Sequence, residues 1–544
     1  MAEATKVADA LVEYLSFKGV RYIFGILAHT SFEIGDAVAR RPNLRFINSQ
    51  HEGGAGNIAL GYARATKKPA VCLVSAGGGA TNIATAVAQA YKESVPLFVV
   101  SSEIKTAAAV KGAWSSWHGI DHASLFKPIT KQAFKLERAE DLGAVLDSLW
   151  SQTTRGRPGP VYLGVPVDLQ SAVTPAPAVA ETAEPNPPAI DSRAAERIAE
   201  LLFSADLPVV LAGMGVYWSG AERELEEIAD LLGSPVATSY TAKGVFRENH
   251  PLALGCLAAG GRPYARKFFL EADLILALGT TFSEGTTLGF GRRVIAENAK
   301  IIQIDIDPYE LGRNYPSYFA LHADIKSALR SVIAALKERK ARRLSVRAGE
   351  RAAEIRDAKR SWQRERDQQI EGGRITKDSV LKALNDLLTE KTTLVTAGMT
   401  GDLLRNVDAP SPVVHAGEFR AIGTALATAL GVKLGSPDAR VVCVTGDGSF
   451  MMEQQELATA RLHQIPVMVL VLRNNAYGGM KRDQIEHYDG RVIGTELFVP
   501  DLARLAELFG ARGLTVARAE EVRPALEAAL AADDLVLLDV KLDG

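Results

Sequence analysis

The stretch Val441-Val-Cys-Val-Thr-Gly-Asp-Gly-Ser-Phe450 decides how the chain is read. It opens on an unbroken apolar run, the mark of a strand buried on both faces of a parallel sheet. That run stops at Gly-Asp-Gly-Ser, and a second one, Val467 to Leu472, stops at Arg473-Asn-Asn-Ala-Tyr-Gly478. Ligands of open parallel sheets bind just beyond the carboxyl ends of such strands. Both ends carry hard oxygen donors, Asp447 and Asn475, 28 positions apart, which leaves room for one helical crossover between neighbouring strands. The two side chains could then meet at one cation, and Mg2+ takes a few protein oxygens together with diphosphate oxygens. Gly446 and Gly448 let backbone amides approach a phosphate closely. Taken singly, each half reads equally well as a tight strand-to-helix turn with a capping Asp, or as an ordinary Asn turn. At this spacing the pair favours a shared site.

The remaining sequence repeats the same alternation. A length of 544 residues suggests roughly three to four domains at ~150 residues each. Hydrophobic residues make up 47% and the net charge is −2, which describes a globular chain with ample core. That balance gives no electrostatic case for nucleic acid or an anionic membrane. No apolar run approaches the ~20 residues of a membrane span, and Met-Ala-Glu-Ala-Thr-Lys lacks a signal-peptide pattern. Cys72, Cys256 and Cys443 are far apart, and Cys72 and Cys443 lie inside strand-like runs. They read as core thiols, so a reducing, cytoplasmic setting is expected. Residues 1–170 show a helix at Val7 to Phe17 and strands at Tyr22-Ile-Phe-Gly25, Ala70 to Ser75, Leu97 to Ser101 and within Gly156 to Asp168. Such alternation predicts a doubly wound α/β sheet. Residues 171–189, rich in Pro, Ala and Glu, read as a linker. A second α/β unit spans 190–336, with strands at Pro208 to Ala212, Leu274 to Leu278 and Ile301 to Ile306. The charged stretch 337–373 reads as a solvated connecting helix, and 374–544 as a third α/β unit with strands at Thr393 to Val395, Val441 to Val444, Val467 to Leu472 and Leu535 to Val540. Three successive doubly wound parallel-sheet domains are expected.

A partner for the Asp447 site lies in Ser49-Gln-His-Glu-Gly-Gly-Ala-Gly-Asn-Ile-Ala-Leu-Gly-Tyr-Ala-Arg-Ala-Thr66, where Glu52 leads into a small-residue helix. A carboxyl group beside an apolar wall has a raised pKa and can share a proton with a heterocyclic nitrogen. Alone, Glu52 reads better as a carboxylate complementing the dipole at a helix N-terminus. The combination of this segment with Cys72-Leu-Val-Ser-Ala-Gly-Gly-Gly-Ala-Thr-Asn82 and with Gly446-Asp447-Gly448 and Asn474-Asn475 resembles the acetolactate synthase-like and pyruvate decarboxylase-like branch of thiamine diphosphate enzymes. The resemblance continues through His250-Pro-Leu-Ala-Leu-Gly255 and Ile304-Asp-Ile-Asp-Pro308, and so covers essentially the whole chain. It implies pyrimidine-binding, central and diphosphate-binding domains, with Mg2+ held by Asp447, Asn475 and the Tyr477 carbonyl. Gly398, Met399, Thr400, Gly446, Gly448, Ser449 and Gly478 would surround the diphosphate. Ile422 would be the wedge that bends the cofactor, the Arg420 carbonyl would take the 4′-amino group, and Glu52 would bind N1′. Glu52 would thereby drive formation of the C2 carbanion, and the ring then serves as electron sink. The resemblance also implies a homodimer or homotetramer in which two subunits complete each site.

Substrate choice is written elsewhere. His118, in Trp114-Ser-Ser-Trp-His-Gly-Ile-Asp-His122, stands near the Phe-Gln pair of acetolactate synthases, and His29 follows the first strand. Either imidazole could carry the protons of a carboligation or lyase step, or be a loop histidine bonded to backbone. His51 is expected to support Glu52, and His122 ranks lower. Trp114 and Trp117 read first as a packed helical face, and otherwise as an apolar pocket wall. The segment Thr280 to Thr287 and the missing Trp in Met480 to His487 remove expected contacts to FAD and to a second 2-oxo acid. Gly213-Met-Gly215 is a weak dinucleotide signal, so flavin binding stays open. The leading expectation is a thiamine diphosphate- and Mg2+-dependent carboligase or decarboxylase of a small 2-oxo acid. The alternatives are a carbon–carbon lyase or hydrolase on a 2-hydroxyketone or diketone, and a non-catalytic binding or regulatory relative. A nicotinamide oxidoreductase has only three α/β domains to recommend it.

Overall fold

The computed structural model describes residues 4–112, 115–176, 188–257, 260–338, 342–370 and 372–543. Its apolar runs become the inner strands of three six-stranded parallel sheets that follow one another along the chain. The first sheet runs, edge to edge, Arg45–Asn48, Tyr22–Gly25, Ala70–Val74, Leu97–Glu103, Val161–Pro166 and Gln132–Lys135. The third runs Val414–His415, Thr392–Ala397, Arg440–Gly446, Met468–Arg473, Val536–Lys541 and Arg512–Val516. In sequence order both read 2-1-3-4-6-5, whereas the central sheet reads 3-2-1-4-5-6 from Ala253–Cys256 to Phe319–His322. In each order the first strand lies inside the sheet and the chain leaves it towards both edges. The topological switch therefore falls between the first and third strands of the two outer sheets, and between the first and fourth of the central one. Ligands of such sheets bind there, in the crevice beyond the carboxyl ends of the strands.

The first and third units share one core. The helix Glu52–Thr66 buries every residue from Gly54 to Arg64, because its glycines and alanines leave no side chain to hold a neighbour away. It lies along the helix Ala425–Gly435 at backbone contact. A Cβ on Gly61 would stand 2.0 Å from the Thr428 carbonyl oxygen, and one on Gly431 would stand 1.8 Å from that of Ile58. Ile58, Ala59, Leu426 and Leu430 therefore belong to a single apolar cluster.

Several expectations change on this frame. The strand Val173–Pro175 pairs antiparallel with Ala4–Lys6, so the start of the 171–189 stretch returns to the first unit instead of leading away from it. Residues 177–187 lie outside the described residues. The helix Arg342–Gln369 is not merely solvated: Ile355 is fully buried, and Ala352, Ala358 and Trp362 pack with it on the central core. Lys359 Nζ donates to the Glu248 carbonyl at 2.9 Å, and Arg366 pairs with Asp378 at 2.7 Å, which ties this helix to both units it joins. Gly213 and Gly215 face Gly279, where a Cβ on either would lie within 2.5 Å of its backbone. Close packing of two strand ends explains both glycines. All three cysteines are free and buried, and burial pushes the Cys72 and Cys256 thiols up to about 12.

Candidate active site

The third sheet reverses between Thr392–Ala397 and Arg440–Gly446, and the residues marked in the sequence gather there. Asp447 follows the second of these strands and is 1% exposed. Its Oδ2 accepts from the backbone N–H groups of Asn474 at 3.1 Å and Asn475 at 2.5 Å, and its Oδ1 from that of Gly448 at 2.9 Å. Burial raises its carboxyl above the usual range, and these three N–H groups draw it back down. Asn475 sits at φ 54°, a left-handed conformation that Asn tolerates better than most residues. Its side chain is exposed and makes no hydrogen bond among the described residues. A Cβ on Gly448 would lie 2.7 Å from the Tyr477 ring, so the floor beside Asp447 must be bare backbone. A Cβ on Gly478 would likewise meet the Asn474 amide at 2.4 Å. The Tyr477 carbonyl already accepts from Lys481 N–H at 3.0 Å, which leaves one lone pair for a cation.

Across the crevice, Gly398 at φ 79° ends the neighbouring strand, and a Cβ there would touch Ile422 at 3.6 Å. Ile422 is 42% exposed, unusual for isoleucine, and the Arg420 turn before it is left-handed at φ 58°. Ser449 Oγ accepts from Gly423 N–H at 2.8 Å and so fixes the Ile422 loop to the Asp447 turn. The Met399 side chain is turned into the apolar core with Leu403 and Ile375, and Thr400 is 8% exposed. Any ligand contact from Met399 must come from its backbone.

Glu52 opens its helix at the carboxyl end of the first sheet, but it is not the cap. His51 is, with Nδ1 accepting from Gly53 N–H at 3.0 Å. Glu52 is thereby free to turn to the next helix, Gly78–Lys92, where its Oε2 accepts from Asn82 Nδ2 at 2.9 Å. Its Oε1 lies 3.1 Å from where a Gly79 Cβ would be. These neighbours are small and polar, and the apolar wall expected beside Glu52 is not among them. Behind the same turn stands Glu456, which sequence reasoning missed. Its carboxylate takes the Gln50 N–H at 3.3 Å, and a Cβ on Gly54 would strike it at 2.2 Å. Burial raises the Glu456 carboxyl. The one sequence trace of this contact is the bare Gly54.

The first sheet reverses between Tyr22–Gly25 and Ala70–Val74. His29 follows the former, exposed, with its ring 5.1 Å from Phe32. Gly77 follows the latter, and a Cβ on it would lie 3.0 Å from His118, which is exposed at φ 63°. Trp117 is 91% exposed in a turn, so it does not form the packed helical face expected of it; Trp114 lies outside the described residues. His29, His118 and Glu52 thus share one end of one sheet. No hydrogen bond among the described residues joins this group to Asp447.

Three family models match in succession: the thiamine pyrophosphate enzyme N-terminal TPP binding domain over residues 5–125, the central domain over 195–332 and the C-terminal TPP binding domain over 396–540. A probable acetolactate synthase large subunit of Methanocaldococcus jannaschii is 32% identical, covering 99% of this chain and 92% of its own. The chain belongs to the thiamine pyrophosphate enzyme family. The large subunit of acetolactate synthase isozyme 3 of Escherichia coli is 31% identical over 99% of this chain and 95% of its own length. A probable chloroplastic acetolactate synthase 2 of rice is 31% identical over 98% of this chain and 82% of its own.

As a thiamine pyrophosphate enzyme, the chain has the fittings the cofactor needs. Bare backbone at Gly448 makes a floor that a side chain would fill, and two oxygen-bearing side chains, Asp447 and Asn475, stand at its edge. An exposed isoleucine is pinned above them through Ser449. The residues present fit thiamine diphosphate with a divalent cation.

Proposed function

We propose that the protein is a thiamine diphosphate- and Mg2+-dependent carboligase that decarboxylates a small 2-oxo acid such as pyruvate and joins the remaining fragment to a second carbonyl compound. The observation that carries this reading is the freedom of Glu52: His51 takes the helix cap, and the carboxylate is left on Asn82 at a sheet's carboxyl end. The full-length likeness to acetolactate synthase large subunits supports the choice of reaction. When bound, thiamine diphosphate supplies a ring carbon that can add to a ketone and take up the electrons released as CO2 leaves. Asp447, Asn475 and the Tyr477 carbonyl would hold Mg2+, with Gly398, Met399, Thr400, Gly446, Gly448, Ser449 and Gly478 lining the diphosphate. Ile422 would press the cofactor into its bend, and the Arg420 carbonyl would accept from its 4′-amino group. Glu52 would hold and return the proton at N1′, a task open to a carboxyl that its own helix leaves free of capping.

The two groups occupy different units, so a second copy of the chain would bring its Asp447 face onto this Glu52 face. Exposed apolar side chains rim both: Leu27, Phe32 and Trp117 on one, Met480, Ile493 and Phe498 on the other. Burying such patches favours association. His29 and His118, exposed beside Glu52, favour a second reading, a carbon–carbon lyase or hydrolase on a 2-hydroxyketone or diketone. Incubation with pyruvate, thiamine diphosphate and Mg2+, assayed for CO2 and acetolactate, tests the first. Absence of CO2 release, with cleavage of a 2-hydroxyketone, would hand the site to the second.

A further inference from the structure

Behind the rim where His118 stands, the first unit buries a polar chain that the reaction outlined above does not use. His122 is 1% exposed and Glu103 is 1% exposed. His122 Nδ1 lies 2.8 Å from Glu103 Oε2, and the other carboxylate oxygen accepts from Tyr162 OH at 2.9 Å. The third link is decisive: His122 Nε2 accepts from the backbone N–H of Gly77 at 2.8 Å. An N–H can only donate, so Nε2 must carry a lone pair and the ring proton must sit on Nδ1, facing Glu103. Tyr162 is held from the other side by stacking on Phe126 at 4.3 Å and 9°. Burial, with Glu103 beside it, pushes the Tyr162 hydroxyl well above its usual value, which keeps it a donor. A Cβ on Gly164 would stand 2.5 Å from the Glu103 carboxylate, so that strand is bare where the carboxylate lies.

All of this fixes one peptide group. Gly77, at φ 69° and ψ −115°, precedes the helix Gly78–Lys92, and His118 rests directly against it. The same helix carries Gly79 and Asn82, the neighbours of Glu52. Burying a carboxylate is costly unless each of its oxygens is bonded, and here each oxygen has a donor. The arrangement therefore persists as a unit.

We propose that His122 is a positioning residue for this site: braced by Glu103 and Tyr162, it pins the Gly77 backbone and through it seats His118 at the pocket rim. The proposal rests on the thiamine diphosphate reading for its effect on turnover, and on geometry alone for the pin. His122→Asn keeps an amide at the Nδ1 position for Glu103 but is too short to reach Gly77. His122→Gln places its amide oxygen at the Nε2 position and keeps the Gly77 bond. In the full-length, cofactor-loaded protein, His122→Asn is expected to lower kcat about tenfold, with the cofactor Kd unchanged within about twofold, and His122→Gln to restore kcat to within about threefold of the parent. In a His118→Ala background His122→Asn should cost less than about twofold more, because it acts through the side chain already removed. Hydrogen exchange at the Gly77 amide should be slow in the parent and His122→Gln, and fast in His122→Asn. Tyr162→Phe, which removes only a hydroxyl, should shift exchange and kcat the same way by a smaller factor, and it serves if His122→Asn does not fold. Multiplicative losses in the double variant, or equal activity of the Asn and Gln variants, would overturn the proposal. A parent without thiamine diphosphate-dependent turnover would sink the cofactor reading instead. Gly77 exchange would then still decide the pin, with fast exchange in the parent counting against it.

Discussion

Replacing Gly431 by alanine tests the seam between the first and third units. The new Cβ would stand 1.8 Å from the Ile58 carbonyl oxygen, against an ordinary contact of 3.4 Å, so the two helices must part by about 1.6 Å along that line. The obstructing atom is backbone and cannot rotate away as a side chain could. Overpacking a core costs about 1–3 kcal/mol, and a rigid carbonyl places this substitution at the upper end. For units of this size each kcal/mol moves the melting midpoint by about 2–4 °C, so a drop of about 6–12 °C is expected. The helix displaced by Gly431→Ala is the one headed by Glu52, so thiamine diphosphate-dependent turnover should fall as well. Gly349→Ala is the matched control. It lies in the helix Arg342–Gln369, and a Cβ there would meet nothing within 4 Å. It should gain about 0.5–1 kcal/mol from helix propensity alone. Thermal denaturation followed by circular dichroism reads both variants. A Gly431→Ala midpoint within about 2 °C of the parent would show that the helices are not in backbone contact.

Other perturbations read the site more directly. Glu52→Gln keeps an oxygen for Asn82 and loses only the charge, so turnover should fall about 10²–10⁴-fold while thiamine diphosphate still binds by equilibrium dialysis; activity within threefold would remove Glu52 from the mechanism. Ser449→Ala leaves the Gly423 N–H without its partner and loosens the Ile422 loop. A loss of about 1–3 kcal/mol corresponds to cofactor binding at least about fivefold weaker, and an unchanged Kd refutes the role of that bond. Stripping divalent cations with EDTA should abolish turnover, Mg2+ should restore it, and Asp447→Asn should resist restoration; full activity in EDTA counts against the metal site. Burial raises the Glu453 carboxyl from 4.5 to about 8, so the folded chain holds a proton that the unfolded chain gives up at lower pH. Stability tied to this group is complete below pH 4.5 and falls as pH rises towards 8. Glu453→Gln should therefore raise the melting midpoint at pH 8 and leave it nearly unchanged at pH 5; the same shift at both would contradict the buried acid.

Much of this arrangement was legible because inner strands of parallel sheets have no polar face. Leu274–Leu278 and Met468–Arg473 declare themselves as apolar runs, and the oxygen-bearing turns after such strands mark the crevice. The edge strands did not. Arg45–Asn48 mixes charge with apolar residues, Gln132–Lys135 does the same, and Val414–His415 is two residues long. Their strand character comes from a neighbour across the sheet, which no local pattern records. The docked face of Arg342–Gln369 was present in the spacing of Ala352, Ile355, Ala358 and Trp362, but its charged residues mask it. The capping role of His51 could not be separated from that of Glu52 without the fold, since adjacent residues compete for the same N–H groups. Glu456 was invisible because its partner Gln50 is some four hundred positions away in the chain. His122 looked like a lesser copy of His118. Burial divides them, and the five residues His118-Gly-Ile-Asp-His122 do not show which imidazole faces inward.

On the two-copy site proposed above, setting Glu52 and Asp447 on separate units makes catalysis a matter of mass action. A single folded chain would hold both groups and yet complete no pocket, so specific activity should climb with protein concentration while the spectrum of the fold stays constant. Diluting an active stock would then silence it slowly, at the pace of subunit separation. Thiamine diphosphate, gripping both faces at once, would act as the clamp that slows that loss.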